Sequence, residues 1–382
     1  MIRAILVSVL ALGLLASCNS DFKTPDVVLV DLGITPVSTE STNTSYHKSK
    51  PELASTLPLV LDYTTLGFDA SLVHEAVAYL DADDDSDMDM FFATGKNLSL
   101  TPYDAELYIN TGDNVTFVDQ AATFLIDTSD PDATVDDIPE SLHARKSLTS
   151  DFTGDGLEDI FVFDQGVNDG SFSGAAPKLF IHQTRLTDPN DDTSPLIHSF
   201  AYQIYVQDVG YHTGGASADI DNDGDADVFV GGLEPFFYIN NSLGGFTRVN
   251  NRWDNSMNKV LAAELVDIDM DGYVDLIAGA DEGDGDVTSI YWGNSTGTYT
   301  NDLRTQLPAH TGYGVILDFE VENLDADSNR DIVIYRTSAA DADRVIQIIK
   351  NNGGRVFADV TATNIVNTVN TTSAWLRAQD RD

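Results

Sequence analysis

The chain has 382 residues, enough for one large domain or two small ones, and 42% of them are apolar, which is ample for a core. Acids outnumber bases 62 to 20, for a formal net charge of −42. That balance excludes nucleic acid and anionic lipid headgroups as electrostatic partners, since both demand clustered Lys and Arg. A single cysteine, Cys18, leaves no intrachain disulfide available, so packing and bound ions must carry the stability.

Arg3 gives the N-terminus a short positive start, and Ala4 to Leu15 are apolar over a length too short for a comfortable membrane span. Leu15-Ala16-Ser17-Cys18 follows, a small-residue cleavage site ending in cysteine. It resembles the bacterial lipoprotein signal, which implies that residues 1–18 are a signal peptide, that Cys18 is lipidated, and that the protein sits in the cell envelope. Residues 19–56 are rich in Ser, Thr, Asn, Asp and Pro and read as a flexible tether. Within them Val27–Ile34 (VVLVDLGI) is strand-like. Residues 57–382 are expected to form the folded domain.

Five nine-residue loops punctuate that domain: Asp81–Asp89 (DADDDSDMD), Asp151–Asp159 (DFTGDGLED), Asp219–Asp227 (DIDNDGDAD), Asp267–Asp275 (DIDMDGYVD) and Asn323–Asp331 (NLDADSNRD). Their starts are 70, 68, 48 and 56 residues apart, and each runs into an apolar stretch such as MFFA, IFVF or VFVGG. They hold 22 of the 62 acids; a generally acidic surface accounts for the rest. Downstream of four loops lies a β-branched or aromatic run, an Asn/Gly turn, and an aromatic expected to open the next strand: ELYINTGDNVTF, FFYINNSLGGF, SIYWGNSTGTY and IQIIKNNGGRVF. After the second loop the counterpart is KLFIHQ, a polar insertion, and IHSFAYQIYV. No long stretch has a 3.6-residue apolar period, so helix is a minor component. Units of about 40–70 residues with about four strands predict an all-β fold of propeller blades; a β-sandwich would not explain one loop recurring at one place in every unit.

Carboxylates at the first, third, fifth and ninth loop positions suit a hard cation, with a residue at the sixth that permits a sharp turn. An EF-hand would need a bidentate Glu at the twelfth position, where this chain has Phe92, Val162, Val230, Ala278 and Ile334. The ninth Asp must therefore close the shell, with the carbonyl of the seventh residue. Irregular oxygen shells favour Ca²⁺ over Mg²⁺, and no His or Cys stands among the ligands to favour zinc. The expected ligand sets are Asp81, Asp83, Asp85, Asp87 and Asp89; Asp151, Thr153, Asp155, Leu157 and Asp159; Asp219, Asp221, Asp223, Asp225 and Asp227; Asp267, Asp269, Asp271, Tyr273 and Asp275; and Asn323, Asp325, Asp327, Asn329 and Asp331. About four to five calcium ions are expected. Ser86 and Ser328 stand where the other loops have glycine, predicting strained or looser turns; Thr153 and Asn323 replace carboxylates, predicting weaker binding at the second and fifth loops.

These loops and their hairpins resemble the FG-GAP/VCBS repeats of the integrin-α-type β-propeller, over about residues 70 to 382. The resemblance implies four-stranded blades whose calcium loops join the first two strands on one face, with ligands met on the opposite face. His74, His143, His212 and His310 precede loops, on what the resemblance makes the far face; they read as turn residues, or more sharply as a ring around a pocket. Tyr211, Tyr313, Trp253 and Trp292 are candidates for stacking on sugars, or blade core. There is no nucleophile elbow, HExxH, phosphate-cradling loop or cysteine nucleophile. The expected function is a lipid-anchored envelope module that binds or adheres to protein or glycan, the membrane being reached only through Cys18; the alternative is a carbohydrate-active lyase or hydrolase on the same scaffold. Ala374–Asp382 (AWLRAQDRD) resembles the approach to a sixth loop, which reads as the start of a further repeat in a longer product.

Overall fold

A computed structural model describes residues 73–364, apart from residues 96–100, 113–115, 126–137, 168–172, 187–192, 194–195, 242, 254–256, 258, 326 and 340–342. The proposed signal, tether, Val27–Ile34 strand and sixth-loop approach lie outside the described residues. Within them the chain folds as an all-β propeller of five four-stranded antiparallel blades. Blade 1 is β1 (Val73–Leu80), β2 (Asp89–Gly95), β4 (Glu106–Asn110) and β5 (Phe117–Asp119), with β3 (Tyr103–Asp104) and β6 (Glu140–Ser141) forming a small ribbon beside it. Blade 2 is β7 (Ala144–Ser150), β8 (Asp159–Asp164), β9 (Lys178–Leu186) and β10 (Leu196–Ile204). Blade 3 is β11 (Gly215–Ala218), β12 (Asp227–Val230), β13 (Phe236–Ile239) and β14 (Thr247–Val249). Blade 4 is β15 (Ala262–Val266), β16 (Asp275–Gly279), β17 (Ser289–Tyr291) and β18 (Arg304–Gln306). Blade 5 is β19 (Val315–Glu322), β20 (Asp331–Thr337), β21 (Arg344–Asn351) and β22 (Phe357–Asp359). Two four-residue helices, Ala121–Phe124 and Thr361–Asn364, and two short 3₁₀ turns are the only helical elements among the described residues.

The apolar runs after the loops become the second strands. All residues of β2, β8, β12, β16 and β20 are buried, because a second strand is covered by neighbouring blades on both faces. First strands of successive blades lie side by side: β1 by β7, β7 by β11, β11 by β15 and β15 by β19. Apolar clusters fill the spaces between blades. Phe91 with Phe180 and Phe200 seals blades 1 and 2; Phe161 with Val228 and Tyr238 seals blades 2 and 3; Phe237 with Leu276 and Tyr299 seals blades 3 and 4; Ile277 with Ile332 and Ile349 seals blades 4 and 5.

At the centre, Lys146 of β7 reaches the Ala263 carbonyl of β15 (3.4 Å) and Asp318 of β19 (3.3 Å). One ammonium thus ties the first strands of blades 2, 4 and 5.

One hairpin differs from the expected pattern. In blade 4 the fourth strand begins at Arg304 rather than at Tyr299. Tyr299 is 1% exposed and stacks on Phe237 of blade 3 with ring centroids 5.5 Å apart, so inter-blade packing claims the aromatic and strand pairing resumes later.

Candidate metal centre

All five loops connect a blade's first strand to its second, on one face of the propeller. Their folding is dictated by carboxylates bonding the loop's own backbone. In the first four, position one accepts the N–H groups of positions five and six: Asp81 from Asp85 and Ser86 (3.0 and 2.9 Å), Asp151 from Asp155 and Gly156 (3.0 and 2.8 Å), Asp219 from Asp223 and Gly224 (3.1 and 3.0 Å), Asp267 from Asp271 and Gly272 (3.1 and 2.9 Å). Position five accepts from position seven in every loop, through Asp85, Asp155, Asp223, Asp271 and Asp327. With those N–H groups spent, the backbone group that position seven (Asp87, Leu157, Asp225, Tyr273, Asn329) retains for a cation is its carbonyl.

Position six is left-handed throughout: Gly156, Gly224 and Gly272 have φ of 95°, 103° and 92°, and Ser86 and Ser328 have 72° and 77°. Of the two outcomes expected for the serine loops, strained or looser, the structure has the strained one: both adopt the same left-handed turn as the glycine loops. A Cβ at Gly156 or Gly272 would meet nothing within 4 Å, so the requirement is conformational rather than spatial. Position four is also left-handed, at Asp84, Gly154, Asn222 and Met270. That second reversal was missed by the sequence reading; the Asx or Gly at three of these positions was its signal.

Position nine forms a clasp. Asp89, Asp159, Asp227, Asp275 and Asp331 are at most 2% exposed. One oxygen of each accepts the position-two N–H, and the other accepts an N–H within the blade's third strand or just beyond it: Asn110, His182, Asn240, Gly293 and Asn351, at 2.7–2.8 Å. Burial raises Asp89, Asp159, Asp227 and Asp275 to about 7, the two backbone bonds pulling the other way and nearby loop carboxylates adding to the rise.

Three loops gather carboxylate oxygens within 4.8 Å of one another: Asp81, Asp83 and Asp85; Asp219, Asp221 and Asp227; and Asp267, Asp269 and Asp271. The clasp residue Asp227 joins such a group in the third loop. Asp83 and Asp221 each have a buried Oδ1 without a hydrogen-bond partner, and Thr153, at the same position three of the second loop, has a buried Oγ1 without one. An unpartnered buried acceptor beside like charges is costly, and a divalent cation removes the cost; the donor set, all oxygen, fits Ca²⁺.

Basic side chains also reach the loops, a feature no loop motif announces. Arg252 meets Asp221 at 2.9 Å and also donates to the Thr296 carbonyl of blade 4. Arg355 of blade 5 meets Asp269 and Asp271 at 2.6 and 3.2 Å with its guanidinium 4.2 Å over Trp292. Lys350 reaches Asp325 and Asp327 of the fifth loop.

The far face carries the histidines without gathering them. The His143 ring bonds Gln165 (3.3 Å), His212 bonds the Asp208 carbonyl (2.8 Å), and His310 is 3.7 Å from Asp359. The His74 side chain lies outside the described residues. Trp253 and Trp292 are core, 6% and 3% exposed, while Tyr211 and Tyr313 are half-buried. On this face, where β12 turns into β13, a cavity of about 300 Å³ is lined by Leu233, Glu234, Phe236, Arg248, Asn250 and Trp253 among others. Arg248 lies 4.0 Å over the Phe236 ring and bonds Asp208 at 2.8 Å; Asp208 in turn accepts from Tyr238 at 2.5 Å.

Residues 219–278 match a family model described as an FG-GAP-like repeat. The match runs from the first position of the third loop, through blade 3 and the fourth loop, into β16. No curated protein matches the chain.

Proposed function

We propose that the protein is a calcium-stabilised propeller that binds a protein or glycan on the face opposite its loops, and that it is tethered to the cell envelope by a lipid on Cys18. The observation that carries the calcium part is the recurrence of an unpartnered buried oxygen at position three, in Asp83, Thr153 and Asp221, inside loops whose other carboxylates are already ordered by backbone bonds. Sites so pre-organised need little reordering on binding. The proposed ligands are the position one, three, five and nine side chains with the position-seven carbonyl. Because Ca²⁺ binds the folded loop, its binding free energy adds to stability by mass action.

The binding part is supported by the cavity of blade 3. An aromatic wall, a stacked guanidinium and the amide of Asn250 are an inventory for recognising sugar hydroxyls or a peptide backbone. Calcium titration by calorimetry, with melts in calcium and in chelator, tests the scaffold: saturation with strong stabilisation is expected, and an unchanged melt overturns it. Screening of glycans and surface proteins with the native chain against Leu233→Asp and Asn250→Ala tests the face. These rim variants are expected to fold and to lose binding; retained binding moves the ligand elsewhere.

A further inference from the structure

The residue just before the clasped N–H is Ile109 in blade 1, Ile181 in blade 2, Ile239 in blade 3 and Trp292 in blade 4. In blade 5 it is Lys350. Its ammonium pairs with the Oδ2 atoms of both Asp325 and Asp327, positions three and five of the fifth loop, the second at 3.0 Å. We propose that Lys350 is the resident cation of the fifth loop, so that blade 5 is held closed without calcium. The inference rests on the calcium reading of the other loops and marks where that reading stops.

Three further observations favour it. Asn323 removes the position-one charge, and among the described residues it caps neither Asp327 nor Ser328; the Asp327 N–H turns to Asp325 instead (3.2 Å). No group of three gathered carboxylates is found at this loop or at the second among the described residues, in contrast to the first, third and fourth, and only the fifth has a lysine between its acids. The clasp itself is nonetheless complete, with Asp331 accepting from Leu324 and Asn351 at 3.0 and 2.8 Å. The loop thus keeps the clasp bonds without the position-one caps, and has fewer acids to neutralise.

An ammonium has three donors and no need of a six- to eight-oxygen shell, so two carboxylates suffice for it where they would not for Ca²⁺. Being tethered in the adjacent strand, it competes at high effective concentration. Arg355 also spans two acids of the fourth loop, but it comes from the next blade and leaves Asp267, Asp269 and Asp271 gathered.

The test is calcium stoichiometry by equilibrium dialysis on the full chain, with melts in chelator. Asp325→Asn/Asp327→Asn is expected to bind as many ions as the native chain, and Lys350→Met one more. Loss of one ion in the first variant, or an unchanged count in the second, overturns the proposal while leaving calcium at the other loops intact. Lys350→Ile, the residue of blades 1 to 3, checks that a packing defect does not hide the extra ion. Should the native chain bind no calcium at all, the reading of the other loops fails, and the lysine is judged by the melts alone. A melting temperature about 1–3 °C below native for Lys350→Met in chelator sustains it, and an unchanged one removes it.

Discussion

The third and fifth loops fold alike yet treat charge differently. Both close through a buried position-nine Asp bonded to position two and to the end of the third strand, and both bend through a left-handed sixth residue. The third loop concentrates five aspartates and leaves an Asp221 oxygen without a partner; the fifth has three and a lysine among them. Backbone hydrogen bonding therefore sets the shape of both loops, and the cation proposed for each would balance its charge. A covalently tethered cation and a diffusible one can then serve the same repeat.

The strongest challenge to this comparison is chelation. Removing calcium from the native chain is expected to lower the melting temperature by roughly 10 °C, the summed mass-action stabilisation of several sites. Differential scanning calorimetry reads it, and an unaltered melt would leave nothing to compare. Next in size is Asp221→Asn, expected to cost one bound ion and a few degrees in calcium, whereas Asp325→Asn should leave the ion count unchanged; equal ion losses would erase the distinction.

A pH series in chelator sharpens it further. Asp89, Asp159, Asp227 and Asp275 titrate near 7 when folded, against an ordinary value of 3.8. Between these values the folded state holds more protons than the unfolded one, so their contribution is greatest in acid and is lost as pH rises through the window. His182 works oppositely: burial, and then His198, lowers it from 6.5 to about 4, so its contribution is present above 6.5 and lost as pH falls. Four carboxylates outweigh one imidazole, and the metal-free protein should melt higher at pH 5 than at pH 7.5. Calcium should abolish or reverse that order, and its persistence in calcium would mean that the clasps stay protonated. The smallest effect concerns the turns: Ser86→Gly and Ser328→Gly relieve left-handed strain and should each add about 0.5–1 kcal/mol in urea melts.

The blade order was legible because the loop motif fixes where two strands meet, and the apolar run after it can only be a strand buried on both sides. The carboxylate clusters of the first, third and fourth loops were legible for the same local reason. The clasp was not: the spacing marks Asp227 for the shell but cannot reveal that Asn240, thirteen residues on, donates to it, since that contact exists only once β12 and β13 pair. Tyr299 was misplaced because an aromatic after a Gly turn looks alike whether it pairs in a sheet or packs across an interface. Lys350 was visible within IQIIKNN, as a lysine where three sister strands carry isoleucine and one tryptophan, but its partner loop lies twenty-odd residues upstream and must be folded to be recognised.

The second and fourth loops also hold the following blade. The Phe152 carbonyl of the second loop accepts from Asn240 (2.8 Å) and from Gly244 (3.0 Å), both of blade 3, and Phe246 packs against the Phe152 ring. The Ile268 carbonyl of the fourth loop takes Asn351 of blade 5 in the same way. For a chain being synthesised, Phe152 emerges 88 residues ahead of Asn240, on the order of ten seconds at ordinary translation speed. Blades 2 and 4 thus each emerge from the ribosome with a loop carbonyl whose partner in the next blade is still to be made.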